Sequence, residues 1–333
     1  MQKSRPIVIA ILVLVSMMLV SGCVGQSSSS TPATIGPLPN DGLAIASFFA
    51  EPTSVDVGDA VTFTLQVENV GGVTAANVAA YLQGVEGQWR ELTSGNPLVH
   101  YSIKQVRTLL PSNPTFNQAG DTDMVTWMYK TPTIAPGLQN FPADVTATVL
   151  YDYNTTGAMV IKAVGDSFLR TEYIAKSRTP VGPSITNTNA PVKILIPDTV
   201  SSYYIRVKDS ASDAAFQYFP VQFKLVNVGS GYPLTNGIPG AIYGTISLRG
   251  PGNPVFSECL GQTNVADIVI GTDSAGADLA RLKTSQGAVT VSCIMRLAKN
   301  SFVLQDEQIR LDFNLGYRYY IQRSLQVSIS SLQ

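Results

Sequence analysis

Apolar and polar side chains alternate with period two along much of this chain. Val61, Phe63, Leu65 and Val67 point one way, while Thr62, Thr64, Gln66 and Glu68 point the other. Such alternation marks a half-buried β-strand. Val78, Ala80 and Leu82 continue it, and Val145, Ala147, Val149 and Tyr151 repeat it. Leu43 to Phe49 and Met124 to Tyr129 read as further strands. Turn-forming residues punctuate these runs. Asn69-Val70-Gly71-Gly72 ends one strand with residues that tolerate the left-handed region. Asn154-Thr155-Thr156-Gly157 reads as a second turn, with Met159 to Val164 returning as a hairpin partner. Residues 84–123 break the regular pattern with Asn113-Pro114 and Gly120-Asp121. They read as an elaborated crossing between two sheets, with a short helix around Tyr101–Leu110.

The first residues follow different rules. Lys3 and Arg5 precede a run from Ile7 to Val20 that only Ser16 interrupts, and Ser21-Gly22-Cys23 closes it. A spanning helix needs about 20 apolar residues, so the order reads as a secretory signal. Its end resembles a lipobox, the site of lipoprotein signal peptides. The resemblance implies that Cys23 is lipidated, begins the mature chain and holds it to the outer side of a membrane. Residues 24–40, rich in Ser, Gly and Pro, read as a flexible tether with a reach of roughly 20–25 Å.

The stretch Val55-Asp56-Val57-Gly58-Asp59-Ala60-Val61-Thr62-Phe63-Thr64-Leu65-Gln66-Val67-Glu68-Asn69-Val70-Gly71, followed by Ala76-Asn77-Val78, resembles CARDB-type and related Ig-like domains of bacterial and archaeal surfaces. That resemblance implies an antiparallel β-sandwich and no particular reaction. Phe63 to Gly71 also aligns without gaps on Val221 to Gly229, and Tyr151-Asp152-Tyr153-Asn154 is echoed by Leu311-Asp312-Phe313-Asn314. The expected fold class is therefore all-β, with two tandem Ig-like antiparallel sandwiches. The signal occupies residues 1–22 and the lipidated Cys and tether 23–40. The sandwiches occupy 41–175 and 191–333. A Pro-, Gly- and Asn-rich linker, 176–190, separates them. In the second sandwich Gly229 to Gly240 reads as a long loop and Asp278 to Lys283 as a short helical turn.

Composition narrows the chemistry. Only 14% of the 333 residues are charged. Loss of Lys3 and Arg5 with the signal takes the formal net charge from −1 to −3. No basic patch suited to nucleic acid is visible. Of three cysteines, Cys23 is assigned to lipid, which leaves Cys259 and Cys293 as a disulfide in an exported compartment. Closing that loop contributes roughly 3–4 kcal/mol on the chain-entropy model. His100 is the sole histidine and has no nucleophile-elbow sequence beside it. Asp209-Ser210-Ala211-Ser212-Asp213 lacks the glycine and closing glutamate of a calcium loop. Asp121 with Asp123, and Asp306 with Glu307, read as turn and edge charges. Tyr317, Tyr319 and Tyr320, with Arg318 and Arg323, and the earlier Tyr203-Tyr204 form an aromatic–Arg group. Such groups suit interfaces and equally suit strand packing. Asn154 heads the sequon Asn154-Thr155-Thr156 and is a candidate glycosylation site on the expected hairpin tip.

No catalytic residue, metal ligand or cofactor is expected. The expected role is a membrane-anchored surface lipoprotein with a structural or protein-interaction function in the cell envelope. Its partners would be the membrane, through the lipid on Cys23, and an envelope protein or glycan. The alternative is a solute- or glycan-binding lipoprotein associated with a transporter. Recognition is expected in the loops 84–123 and Gly229–Gly240 rather than in the strands.

Overall fold

The computed structural model describes residues 42–98, 102–133, 140–198, 204–208, 216–271, 280–282, 287–298 and 306–331. In chain order the strands are β1 (Leu43–Glu51), β2 (Ser54–Asp56), β3 (Ala60–Asn69), β4 (Ala76–Gln83), β5 (Arg90–Glu91), β6 (Lys104–Gln105) and β7 (Thr122–Lys130). Then come β8 (Asn140–Gly165), β9 (Ser184–Asn187), β10 (Val192–Leu195), β11 (Ile205–Val207), β12 (Phe216–Asn227) and β13 (Tyr232–Thr235). The rest are β14 (Ile238–Pro239), β15 (Tyr243–Arg249), β16 (Val255–Glu258), β17 (Asp267–Ile270), β18 (Ala288–Ala298) and β19 (Asp306–Ser330). The protein is all-β and mostly antiparallel, in a sandwich-like arrangement, as the alternation implies.

Two strands dominate. β8 has 26 residues and β19 has 25. They pair antiparallel from Asp306↔Val164 to Ser330↔Asn140 without a register break, a ribbon of roughly 80 Å. The residue pattern explains why one face of this ribbon is buried along most of its length, Arg323 of the same row being exposed. Val145, Ala147, Val149, Tyr151, Tyr153, Thr155, Met159, Ile161 and Ala163 of β8 are buried, and all are odd-numbered. Ile309, Leu311, Phe313, Leu315, Tyr317, Tyr319, Ile321, Val327 and Ile329 of β19 match them. Both strands thus turn one side chain in two to the same core.

Two four-stranded sheets cover that face. One has the order β1-β3-β7-β5, the other β10-β12-β18-β16. The first meets the ribbon where Leu43 N donates to Tyr151 Oη at 3.1 Å. The second meets it where the Phe223 and Phe313 rings lie 5.0 Å apart, edge to face. Burying each such aromatic contributes about 1.5–3 kcal/mol. The two sheets have the same strand plan, and the equivalences extend to single atoms. Gly42 O accepts from Val70 N at 3.1 Å, as Pro191 O accepts from Val228 N at 2.8 Å. Tyr151 Oη accepts from Leu43 N, as Tyr317 Oη accepts from Val192 N. The repeat therefore matches Tyr151-x-Tyr153 with Tyr317-x-Tyr319, not with Leu311-x-Phe313 as the sequence echo proposed.

Several local expectations are corrected. Asn154-Thr155-Thr156-Gly157 is not a turn but the middle of β8, because Thr155 fills an inward position and each of the four residues pairs with β19. The segment expected as a linker contains β9, which pairs with β8 from Val160↔Ser184 to Gly157↔Asn187. The stretch expected as a helix near Tyr101–Leu110 is extended where described, with β6 on β4 and Leu109 bridged to Ala75. Gly229–Gly240 is a hairpin docked on β19 rather than an open loop: Tyr232 pairs with Tyr320 and Pro233 with Tyr319. Gly231 permits that docking, since a Cβ there would stand 1.9 Å from Tyr320 O. Of the expected helical turn at Asp278–Lys283, residues 280–282 are described and are not helical, and the other three lie outside the described residues. Helical structure among the described residues is short, an α-turn Asp166–Phe168 continuing as a π-turn Leu169–Ile174 and a 3₁₀ turn Pro114–Phe116.

Candidate functional site

The outer face of the ribbon carries the polar half of the alternation, and its midpoint is a cleft. The edge of β19 changes neighbour there. Asp312 to Gly316 pair with β15, Tyr319 and Tyr320 with β13. Between them Arg318 N has no strand partner on that edge and donates to Thr235 Oγ1 at 3.2 Å. The two neighbours diverge and leave a cleft of about 790 Å³. Its floor is Leu150, Asp152 and Arg318; one wall is the β13–β14 turn, Leu234 to Gly237; the other is Tyr243, Thr245 and Val269.

Asp152 and Arg318 face each other directly across the ribbon. Arg318 Nε lies 4.0 Å from Asp152 Oδ1, beyond hydrogen-bond reach. That Nε is buried and makes no hydrogen bond. Asn77 Nδ2 donates to the other carboxylate oxygen, Oδ2, at 2.7 Å and fixes the Asp152 side chain. Asn77 itself adopts a positive φ of 49° at the irregularity where β4 joins β8. The Tyr243 ring lies over Gly316, where a Cβ would come within 2.6 Å of it. Any side chain at 316 would lift the ring, so this glycine sets the wall. Tyr243 is 42% exposed and Val269 56%, so the cleft pairs apolar walls with a polar floor.

Beneath the floor the buried tyrosines are structural. Tyr151 and Tyr319 are 5.7 Å apart, and Tyr317 and Tyr319 are 6.1 Å apart. Desolvation raises the Tyr317 phenol far above its ordinary value and that of Tyr153 to about 12. They serve packing, while their neighbour Arg318 faces the cleft. Tyr320 is half-buried against Tyr232, and Arg323 Nη1 donates to Ile45 O at 3.3 Å.

The remaining candidates have ordinary places. Cys259 and Cys293 are joined as a disulfide between neighbouring strands, with Cα atoms 4.4 Å apart. Asn154 lies mid-strand opposite Gly316, half-buried on the outer face, so the hairpin tip that made it accessible is absent. Asp121 and Asp123 accept from the backbone N–H groups of Leu110 and Arg107 and hold the crossing segment. Asp306 Oδ2 lies 2.5 Å from Lys162 Nζ and accepts from the Tyr173 hydroxyl at 2.6 Å, tying the helical turn to the ribbon. Those bonds hold the Asp306 carboxyl below its usual range. Cys23, His100, Tyr203 and Asp209 to Asp213 lie outside the described residues. Among the described residues no group of three His, Cys, Asp or Glu side chains is placed to hold a metal. No described helix is long and apolar enough to cross a membrane. Tyr243 and Gly316 carried no sequence signal, and Asp152 appeared only within the repeat echo; the Gly229–Gly240 segment and Arg318 drew attention to this part of the ribbon.

No protein-family model matches the chain, and no curated protein matches it. Among solved structures it is similar to a Paenibacillus cycloisomaltooligosaccharide glucanotransferase complexed with cycloisomaltoheptaose, at 19% identity over 32% of this chain and 12% of that one, with a TM-score of 0.20. A Pseudomonas fluorescens alkylpurine DNA glycosylase bound to DNA containing an abasic site analogue matches at 11% identity over 33% and 27% of the two chains, TM-score 0.20. A Salmonella alpha-2-macroglobulin mutant matches at 10% identity over 88% and 16%, TM-score 0.18. This chain spans less than a third of each solved chain, and scores this low carry no inference about function.

Proposed function

We propose that this chain is a non-catalytic, membrane-anchored lipoprotein that presents a rigid β-body to a partner in the cell envelope. The observation that carries the reading is the unbroken pairing of β8 with β19 beneath both four-stranded sheets. A hinge between the halves would have to break that ladder, so the body acts as one block. Such a block on the short tether of residues 24–40 suits presentation of a surface close to a membrane. The lipobox-like end at Cys23 and the tether composition support the anchored location.

Cys23→Ala tests the anchor. The variant is expected to leave the detergent phase for the aqueous phase, or to accumulate as precursor. Unchanged partition with unchanged mature mass counts against it. Crosslinking on intact cells, with the β13–β14 turn as the probe position, tests the interaction role. Thr235 is kept in every variant, because its hydroxyl serves Arg318 N. Deleting the whole Gly229–Gly240 segment would instead strip part of the β19 edge.

A second reading, capture of a solute or glycan for a transporter, is favoured by one observation. The cleft beside that turn has the size usual for small-ligand sites, about 300–1,000 Å³.

A further inference from the structure

The following inference rests on the capture reading and names the ligand class. Three features of the cleft restrict what fits. The first is the charge balance of its floor. Arg318 and Asp152 are opposite charges 4.0 Å apart, and the buried Arg318 Nε makes no hydrogen bond. Asn77 holds Asp152 Oδ2, which leaves Oδ1 facing the guanidinium. Nε itself is closed to a ligand, but the two side chains are part-exposed, 42% for Arg318 and 35% for Asp152, so one hydroxyl can accept from the guanidinium and donate to the carboxylate. A carboxylate or phosphate satisfies the guanidinium but meets Asp152 as a like charge. An ammonium satisfies Oδ1 but meets Arg318 in the same way. The floor therefore selects a neutral group that is donor and acceptor at once.

The second feature is the wall. The part-exposed ring of Tyr243, held over Gly316, stands with Val269 and Leu150 beside the polar pair. An aromatic face next to a donor–acceptor pair matches a molecule with a C–H face and a hydroxyl rim. The third is size: about 790 Å³, open to solvent along the β13–β14 turn, holds one or two six-membered rings and not a protein segment.

The geometry points to a neutral saccharide as the ligand of this cleft, with one ring hydroxyl bridging the exposed part of the Arg318 guanidinium and the Asp152 carboxylate and a C–H face against Tyr243. No bond is made or broken; the site binds.

The test uses the full chain purified in a non-glycosidic detergent. Maltose, cellobiose and mannobiose are the probes, each at millimolar concentration, read by saturation-transfer difference NMR. Glucuronate and leucine form two further arms. At least one neutral disaccharide is expected to receive saturation on its C–H protons. Tyr243→Ala, which leaves the polar pair intact, and Asp152→Leu, which leaves the wall intact, are each expected to weaken that binding about tenfold. Their thermal midpoints should stay near that of the parent, which separates binding from folding. Three results overturn the proposal. Absence of transfer to every neutral sugar means that the cleft takes no saccharide. Preference for glucuronate means that the guanidinium acts as an unbalanced cation. Neutral-sugar binding undiminished in both variants puts the sugar elsewhere. The capture reading itself falls only if glucuronate and leucine also fail to bind.

Discussion

The Tyr317 hydroxyl lies 2.9 Å from Thr155 Oγ1, near the middle of the ribbon. Thr155 Oγ1 donates to Val192 O at 2.7 Å, so it accepts from Tyr317. Tyr317 Oη in turn accepts from Val192 N at 3.4 Å. Three buried groups from β8, β10 and β19 thus satisfy one another in a closed ring. Tyr317→Phe removes two of the three bonds and leaves the Val192 N–H without this acceptor. The expected loss is about 1–3 kcal/mol in urea unfolding, with little change in the denaturant slope. A loss below the error of the measurement would mean that the ring does not form.

The same burial sets the alkaline limit of stability. The Tyr153 phenol is raised to about 12 by desolvation, against about 10 in the unfolded chain. A raised folded value means that this stability is complete below pH 10 and disappears as the pH climbs through 12. Alkaline unfolding is expected in that window. Phenolate absorbance should rise together with loss of the far-ultraviolet strand signal. Ionisation of the buried tyrosines well before unfolding would contradict it.

At acid pH the sign reverses. Hydrogen bonds from Lys162 and Tyr173 lower the Asp306 carboxyl, and the first of them raises Lys162. A depressed folded value gives stability that is complete above the unfolded carboxylate value, about 3.9, and is lost as the pH falls through the folded one. Asp306→Asn should lower stability near neutrality while flattening the acid limb of the pH–stability curve. Parallel curves for the parent and the variant would count against the assignment.

Asn69 and Asn227 make a matched pair that can be tested as one. Asn69 Nδ2 donates to Val73 O and Leu109 O at 2.9 and 2.8 Å, and its Oδ1 accepts from Gly71 N at 3.1 Å. Asn227 Nδ2 donates to Gly231 O at 2.8 Å, and its Oδ1 accepts from Gly229 N at 3.3 Å and Tyr319 Oη at 2.8 Å. Either Asn→Ala change is expected to cost about 3 kcal/mol, because several buried backbone groups are left unpaired. Asn→Asp should not rescue either site, since a carboxylate cannot donate to the carbonyls. Thermal melts of the four variants decide it.

Much of this fold was legible in the sequence. The alternation in 61–68 and 145–151 gives strands in the right places, and Asn-Val-Gly at 69–71 and 227–229 marks equivalent strand ends. The continuity of β8 was not legible. Asn154-Thr155-Thr156-Gly157 has the composition of a turn, and pairing with β19 overrides that local preference. At Gly157 a Cβ would meet Thr186 O at 2.8 Å, so this glycine serves the approach of β9 rather than a reversal. Nor was the cleft legible as a whole. It arises because β19 changes neighbour beside Arg318, a relation between segments dozens of residues apart. The Asp152–Arg318 pair spans a sequence separation that no local pattern encodes.

The ribbon also fixes an order of events in biosynthesis. Every residue of β8 except Gly165 finds its β19 partner between 142 and 190 positions later, from Val164↔Asp306 to Asn140↔Ser330. Neither half can therefore complete its core while the chain is emerging, even though the first half's own strands are already present. Until the 25 residues of β19 arrive, β8 has a long unpaired edge and an apolar face, the kind of surface that recruits other strands. That makes β19 a timing device as well as a structural one. Chains halted before β19 are expected to be captured by chaperones or to aggregate, not to persist as a folded first half.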